Sequence, residues 1–207
     1  MTMRKIVTVV ALAGLIAGSD ARAMAQTLPD SATIHDIRTK LLRLPYYGVF
    51  DFLAFSYANG AVTLSGYDYR GTLKADAERA VKQVARVDQV VNNIETLPVS
   101  LNDDDLRWKT YYAIYSDPFL SRYAPGGGML WGHRHNVPMG LFGSAARFPG
   151  AEPLGNYPIA IIVKNGRITL MGVVDGESDK TVAGMKARGV SGSFGVENEL
   201  TVEKEGT

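Results

Sequence analysis

The stretch that decides the fold is Asn59-Gly-Ala-Val-Thr-Leu-Ser-Gly66, which recurs 106 residues later as Asn165-Gly-Arg-Ile-Thr-Leu-Met-Gly172. The same offset carries Val90-x-Asn92-x-Ile94 onto Val196-x-Asn198-x-Leu200. Separate motifs that share one offset indicate an internal repeat rather than chance similarity. The chain therefore contains two copies of one structural unit.

Each eight-residue stretch predicts a β-hairpin. A type I′ turn needs positive φ at both central residues, which Asn-Gly adopts readily, and the strand that follows alternates apolar with polar residues. The strand before the first turn is predicted at residues 50–57 and matches residues 159–163. Because glycine offers backbone freedom and no reactive group, the turn and strand-end residues are assigned a structural role. They are Asn59, Gly60, Gly66, Asn165, Gly166 and Gly172.

Helical patterns flank the first hairpin. Thr33 is predicted to cap a helix that ends at Pro45, because the residue before a proline is disfavoured in a helix. Thr72 is predicted to open a second helix, whose apolar residues make one stripe. A strand at residues 90–97 closes the unit.

The second unit repeats this order. Asp103, Asp104 and Asp105 supply the anionic first turn of a helix that stops at Pro118, and Ser178 is predicted to cap a weaker helix. Because a helix links the hairpin to the final strand in both units, each sheet should be mixed. The predicted class is α+β, with two tandem α-β-β-α-β units, each a small mixed three-stranded sheet packed against two helices.

Aromatic residues are concentrated in the first helix of the second unit and just after it. Two small units joined by a short linker, at residues 100–103, must bury surface against each other. We therefore expect most of these aromatic side chains to pack in the core and between the units. They are Trp108, Tyr111, Tyr112, Tyr115 and Tyr123.

The second unit, at residues 103–204, is longer than the first, at residues 30–99. The difference is a glycine- and proline-rich insertion at about residues 124–158. Loops of this length without a secondary-structure pattern are usually either functional or disordered. No acidic residue lies between Ala124 and Ala151, and arginine combined with tryptophan suits both membrane interfaces and protein contact sites.

Three interpretations of the insertion stay open: it packs onto the second unit, it contacts a protein, or it contacts lipid. The candidate lipid- or partner-binding residues are its apolar and cationic side chains, Met129, Leu130, Trp131, Arg134, Phe142, Arg147 and Phe148.

The first 25 residues have the pattern of a secretory signal peptide. Arg4 and Lys5 precede an apolar run at residues 6–16, which is shorter than the ~20 residues that a bilayer-spanning helix needs. A small-x-small site, Ala23-Met24-Ala25, predicts cleavage before Gln26. We expect a periplasmic or secreted protein with no transmembrane segment in the mature chain, and an uncleaved anchor is the alternative.

The composition excludes several kinds of binding and catalytic site. The chain has 207 residues, no cysteine and a formal net charge of +1, which excludes disulfides, thiolate metal sites and a lipid-modified cysteine and gives no footprint for nucleic-acid binding. Ser144 does not stand in a G-x-S-x-G turn. His133 and His135 could contribute to a metal site, for which the insertion offers only Glu152 as a carboxylate ligand. No catalytic residue, metal site or cofactor is predicted.

The paired motifs resemble the BON family, the bacterial OsmY and nodulation domain. Its signature is an N-G-x-V-x-L-x-G hairpin, a helix and a V-x-N-x-L strand, and both copies match it. The first copy departs from the pattern before Val87, where Arg86 stands in place of a glycine.

The resemblance implies a non-enzymatic exported envelope protein with paired BON-like domains. Family members are associated with phospholipid membrane contact and with envelope integrity or stress protection. The alternative is a chaperone-like or scaffold module that binds envelope proteins through the insertion and the sheet edges.

Overall fold

A computed structural model describes residues 31–125 and 152–203. The predicted signal peptide and the greater part of the predicted insertion lie outside the described residues.

The first unit contains two helices and three strands in the predicted order. Helix α1 spans Ser31–Leu42, strands β1 and β2 span Phe52–Ala58 and Ala61–Asp68, helix α2 spans Leu73–Val81, and strand β3 spans Gln89–Thr96. Strand β2 is central, antiparallel to β1 and parallel to β3.

The second unit has the same architecture after a linker at residues 97–100. Its elements are α3 at Leu101–Tyr115, a short 3-10 turn at Ser121–Tyr123, β4 at Ile159–Lys164, β5 at Arg167–Val174, α4 at Glu177–Arg188 and β6 at Gly195–Val202. Strand β5 is antiparallel to β4 and parallel to β6. The predicted α+β class with two tandem units, each a mixed three-stranded sheet with two helices, is confirmed.

The asparagine of each V-x-N-x-L motif ties the last strand to the helix that precedes it. The side-chain amide of Asn92 donates to the Lys74 carbonyl oxygen at 2.8 Å, and that of Asn198 donates to the Lys180 carbonyl oxygen at 2.8 Å. Such a bond satisfies a polar group at the helix–sheet boundary, which explains why the motif needs an amide at this place.

Two of the predicted helix caps are wrong, and a third, Thr72, is right in position but makes no side-chain cap. Thr33 is buried inside α1, which already includes Ser31. Thr72 precedes α2, but its backbone is helical and its side chain caps nothing; Asp68 instead accepts from the backbone N–H of Lys74 at 2.9 Å. Residues outside the helix can satisfy its first N–H groups equally well, so a cap-type residue at the boundary is not enough to predict a cap.

The second wrong cap is Ser178, which lies in the first turn of α4, while Gly176 occupies the N-cap. At the start of α3 the predicted anionic turn is present, but Ser100 is the capping residue. Asp103 is buried and accepts from the backbone N–H groups of Asn165 and Gly166, at 2.9 and 2.7 Å. Its carboxylate therefore holds the β4–β5 turn, a long-range role that sequence position did not reveal.

Candidate functional site

The predicted binding residues of the insertion, Met129 to Phe148, lie outside the described residues and stay a prediction. So do His133 and His135. The structure describes the residues just before and just after this segment. Both lie near the boundary between the two units.

The predicted turn residues occupy two hairpins, one in each unit. Asn59 and Gly60 have φ values of 49° and 78°, and Asn165 and Gly166 have values of 53° and 75°, the signs that a type I′ turn requires. Gly66 and Gly172 also have positive φ. A Cβ atom there would overlap the carbonyl oxygens of Phe52 and Pro158.

The leaving end of the insertion is anchored by Tyr123. Its hydroxyl donates to Asp179 Oδ2 at 2.7 Å and accepts from the backbone N–H of Asp175 at 2.8 Å. Burial raises the pKa of Tyr123 to about 12, so the phenol keeps the proton that it donates. Arg122 adds an ion pair with Asp179. This network fixes the chain at Tyr123 to the start of α4.

The returning end is anchored to the first unit. Glu152 forms an ion pair with Arg70, and the Pro153 carbonyl oxygen accepts from the backbone N–H of Val49 at 3.1 Å. The N–H of Gly155 donates to the Tyr47 carbonyl oxygen at 2.9 Å. The end of the predicted insertion is therefore part of the fold.

The two ends of the insertion lie side by side. A Cβ atom built on Gly155, which has a φ of 122°, would be 3.4 Å from Pro125 Cγ. The chain thus leaves and re-enters the folded unit at one place, the closed base typical of a loop that can carry a binding segment without disturbing its scaffold.

Residues 47–51, which we call the strap, join the first unit to the second. The Val49 carbonyl oxygen accepts from the backbone N–H of Ile161 on β4 at 2.8 Å. Phe50 is 1% exposed and packs edge-on against Trp108 and Tyr111 of α3, with ring centroids 5.6 and 6.4 Å away. A segment of the first unit therefore belongs to the core of the second.

Asp51 folds the strap back onto its own unit. Its two carboxylate oxygens accept from the backbone N–H groups of Gly48 and Tyr69, at 3.0 and 2.8 Å. Burial raises the pKa of Asp51 to about 7, and nearby Asp68 raises it further while the two N–H groups and Arg70 lower it.

The aromatic residues of α3 lie where the sequence predicted them. Tyr111 and Tyr115 are buried, Trp108 stacks on Tyr112 at 5.9 Å, and the group contacts the first unit through Phe50. The prediction of core and inter-unit packing is confirmed for this helix. Phe50 does not stand out in the sequence, which predicts it at the start of a strand, whereas β1 begins at Phe52.

Arg107 is the second residue of this junction that the sequence did not reveal. Its side chain is 1% exposed, donates to the Val163 carbonyl oxygen at 2.6 Å, pairs with Asp104 and lies 4.8 Å from the centroid of the Tyr69 ring. A buried guanidinium that has both an anion and an aromatic ring beside it links α3, β4 and the end of β2.

These groups hold two units and the base of a loop together. In the described ranges, no cluster of three or more His, Asp or Glu side chains could bind a metal ion. No helix within residues 31–125 or 152–203 is long and apolar enough to cross a membrane.

Comparisons with known proteins agree with this arrangement. The model of the BON domain matches residues 30–98 and 145–204. No curated protein matches the chain at a significant level.

Two solved structures are similar in part. One is CdsD, a structural protein of the Type III secretion system of Chlamydia trachomatis, at 16% identity and a TM-score of 0.25, covering 83% of this chain and 92% of that one. The other is the C-terminal domain of CdsD, at 16% identity and a TM-score of 0.26, covering 86% and 100%. Scores this low carry no argument about function.

The family assignment, by contrast, rests on two matched regions, each with its own hairpin and V-x-N-x-L strand. BON domains are generally non-enzymatic and indicate an envelope- or membrane-associated role. The two matched regions together cover more than half of the chain, which belongs to the BON domain family.

Proposed function

We propose that this protein is a non-enzymatic exported envelope protein that contacts the phospholipid membrane surface and supports envelope integrity or stress protection. The observation that supports this most is the insertion. It carries tryptophan, phenylalanine and arginine without acidic residues, and the described residues on either side of it form a closed base tied to both units. Amphipathic rings and cations suit the headgroup region of a bilayer.

Membrane contact of this kind is peripheral and depends on salt. A cation near an anionic surface contributes about 1 kcal/mol, and salt screens it. The mature protein, expected to begin at Gln26, should therefore float with anionic vesicles at low salt and less at physiological salt. Zwitterionic vesicles should recruit much less protein.

The experiment is liposome flotation with one variant and one matched control. Arg134→Gln combined with Arg147→Gln removes two insertion cations and should reduce flotation about 25-fold, the product of the two cation contributions. Lys180→Gln combined with Arg188→Gln removes the same charge from α4 and should leave flotation nearly unchanged. Absence of flotation by the wild type under every condition would overturn the proposal.

The second candidate function is a scaffold or chaperone-like module that binds envelope proteins through the insertion and the sheet edges. It is favoured by one observation: in the described part of the chain, no strand pairs with the outer edges of β3 and β6. An extended peptide can add to such an edge. Crosslinking in the envelope that captures one protein, and fails after Trp131→Ala, would favour this function over lipid contact.

A further inference from the structure

A pocket of about 360 Å³ opens where the two units and the base of the insertion meet. The segments that line it are the residue before the strap, the loop after β2, the linker, α3 and the returning end of the insertion. Ligand pockets occur preferentially at such junctions, where loops on a rigid scaffold converge. The side chains that matter for its chemistry are Tyr46, Tyr69, Arg70, Val99, Asp104 and Glu152.

Tyr46 presents an aromatic ring to this pocket from a backbone position that does not suit it. Its φ is 65°, in the left-handed region where a side chain is strained, and 57% of its surface is exposed. The ring belongs to neither hydrophobic core, and the Arg70 guanidinium lies 5.5 Å from its centroid. Glycine would serve this turn with less strain, so folding alone does not account for a large exposed ring here.

The polar groups of the pocket are held in place by ion pairs. Arg70 pairs with Glu152, and Asp104 pairs with Arg107, which also lies 4.8 Å from the centroid of the Tyr69 ring. The side chains of Arg70 and Asp104 remain 26 and 21% exposed. A guanidinium has several N–H donors and a carboxylate several acceptor positions, so each keeps capacity for a ligand. Groups that are already ordered bind at a lower entropic cost.

The charges around the pocket cancel. Among the lining residues that the structure describes, Arg70 is the cation and Asp104 and Glu152 are the carboxylates, while Arg107 behind Asp104 supplies a second positive charge. An anionic ligand would meet the two carboxylates, and a cationic one would meet Arg70. A neutral ligand with many hydrogen-bonding groups avoids both repulsions.

The second unit shows that the repeated fold does not need these side chains. The offset of 106 residues places Asp175 at the position of Tyr69 and Gly176 at that of Arg70. Strand β5 ends and α4 begins there without an aromatic ring or a guanidinium at either position. The chemistry of the pocket is therefore specific to the junction and is not a property of the repeated unit.

These features together fit a sugar. One face of a pyranose ring carries C–H groups, which pack on the negatively polarised face of an aromatic ring such as that of Tyr46. Its hydroxyl groups can donate to carboxylates and accept from a guanidinium.

The apolar part of the rim narrows the class of sugar. It is formed by Pro98 and by Val99, which is 99% exposed. An acetamido substituent would place its methyl group against these side chains, and its N–H could donate to Asp104 or Glu152. We propose that this pocket binds a neutral glycan built from N-acetylated amino sugars, at a site that shares no residue with the proposed membrane contact.

The test is titration of the mature protein with N,N′-diacetylchitobiose, a neutral dimer of N-acetylglucosamine, followed by amide NMR and calorimetry. The amide signals of Tyr46, Arg70 and Val99 should shift. Tyr46→Ala should weaken binding about tenfold, the contribution of one well-packed aromatic contact. Tyr46→Phe keeps the ring and should bind nearly as well as the wild type.

The matched control is Phe119→Ala. Phe119 follows Pro118 as Tyr46 follows Pro45, and it is also exposed, but it does not line the pocket. This variant should bind the disaccharide like the wild type. Equal weakening by Phe119→Ala and Tyr46→Ala would overturn the assignment, because exposed rings in general would then be responsible.

Three further outcomes decide the proposal. Affinity that is the same at low and physiological salt supports it, because the ligand carries no charge. Absence of any shift at millimolar disaccharide overturns it, and maltose that binds equally well overturns the acetamido assignment. Vesicle flotation reports on the insertion and not on this pocket, so either proposal can fail without the other.

Discussion

The two units share a fold and differ in how much of their sheets they bury. Strand β1 is buried on one face, where Leu53 and Phe55 point into the core, and partly exposed on the other. In the equivalent strand β4, residues of both faces are buried, including Ala160 and Ile162 at 3 and 2% exposure. A repeated sequence motif thus specifies the sheet, while its surroundings decide how much of it meets water.

The two units also differ at the edge of the sheet, because the strap of the first unit covers the β4 edge of the second. The strap of the first unit donates and accepts hydrogen bonds beside β4 and places Phe50 in the second core. The core of the first unit, by contrast, is built from residues of that unit: Ile37, Leu41, Leu53, Phe55, Val62, Leu64, Leu73, Ala77, Val81, Val84 and Ile94. The second unit therefore depends on the first more than the first depends on the second.

Phe50→Ala should break this dependence with the largest effect. Removing a fully buried aromatic ring costs about 3–5 kcal/mol of unfolding free energy. Although Phe50 belongs to the first unit, amide hydrogen exchange should accelerate mainly in β4, β5 and α3. Phe55→Ala is the matched control and should accelerate exchange in β1, β2 and α1; the same pattern in both variants would refute the asymmetry.

The strap should also make the stability depend on pH through Asp51. Its pKa is about 7 in the folded protein and ordinarily 3.8, so between these values the folded state holds a proton that the unfolded state has released. Stability should therefore fall as pH rises from about 4 to 7, by at most about 1.4 kcal/mol per pH unit, and be constant with respect to this group above that range.

Asp51→Asn tests this assignment. The amide does not titrate, so the slope of the unfolding free energy against pH should flatten between about pH 4 and 7. Asp68, Arg70 and Tyr47 face the same carboxylate and are unchanged in this variant. Urea unfolding at a series of pH values gives the slope, and a slope equal to that of the wild type would assign the titration to another group.

The strand-end glycines should behave alike in both units. Gly66→Ala and Gly172→Ala each force a side chain into positive φ, at about 1–3 kcal/mol, and onto a carbonyl oxygen of the adjacent segment of the same sheet. Gly176→Ala, at a φ of −153° with ordinary contacts, should change stability much less. Thermal unfolding compares the three, and tolerance at one of the two strand ends would show that the duplicated hairpins are not equivalent.

The features predicted from sequence are those that local chemistry specifies. Asn59-Gly60 and Asn165-Gly166 need only their own backbone preferences, and the strands need only alternation. The strap, Asp103 and Arg107 act across long sequence distances, which periodicity cannot report. One signal was present: the unbroken apolar run at residues 159–163 is typical of a strand buried on both faces.

The candidate site was predictable only in part for the same reason. Composition identified the insertion, because missing acids and a tryptophan can be read directly from the sequence. The anchors at the base of the insertion were not identified, since Tyr123 meets Asp179 and Arg70 meets Glu152 only in the folded chain. Arg86 departs from the family pattern in the sequence, and the structure shows that this departure is a strained backbone position.

The smallest expected change in stability compares the same turn in the two units. Arg86→Gly should stabilise the first unit by about 1 kcal/mol, because glycine adopts the φ of 68° without strain. Gly192→Arg places the same strain in the second unit and should destabilise it by a similar amount. Urea unfolding measures both, and if Arg86→Gly is destabilising, the contacts of the arginine side chain outweigh the strain of its backbone. Opposite signs of similar size would show that an arginine costs the same strain in both turns, and unequal sizes would show that the contacts of the Arg86 side chain offset part of that strain in the first unit.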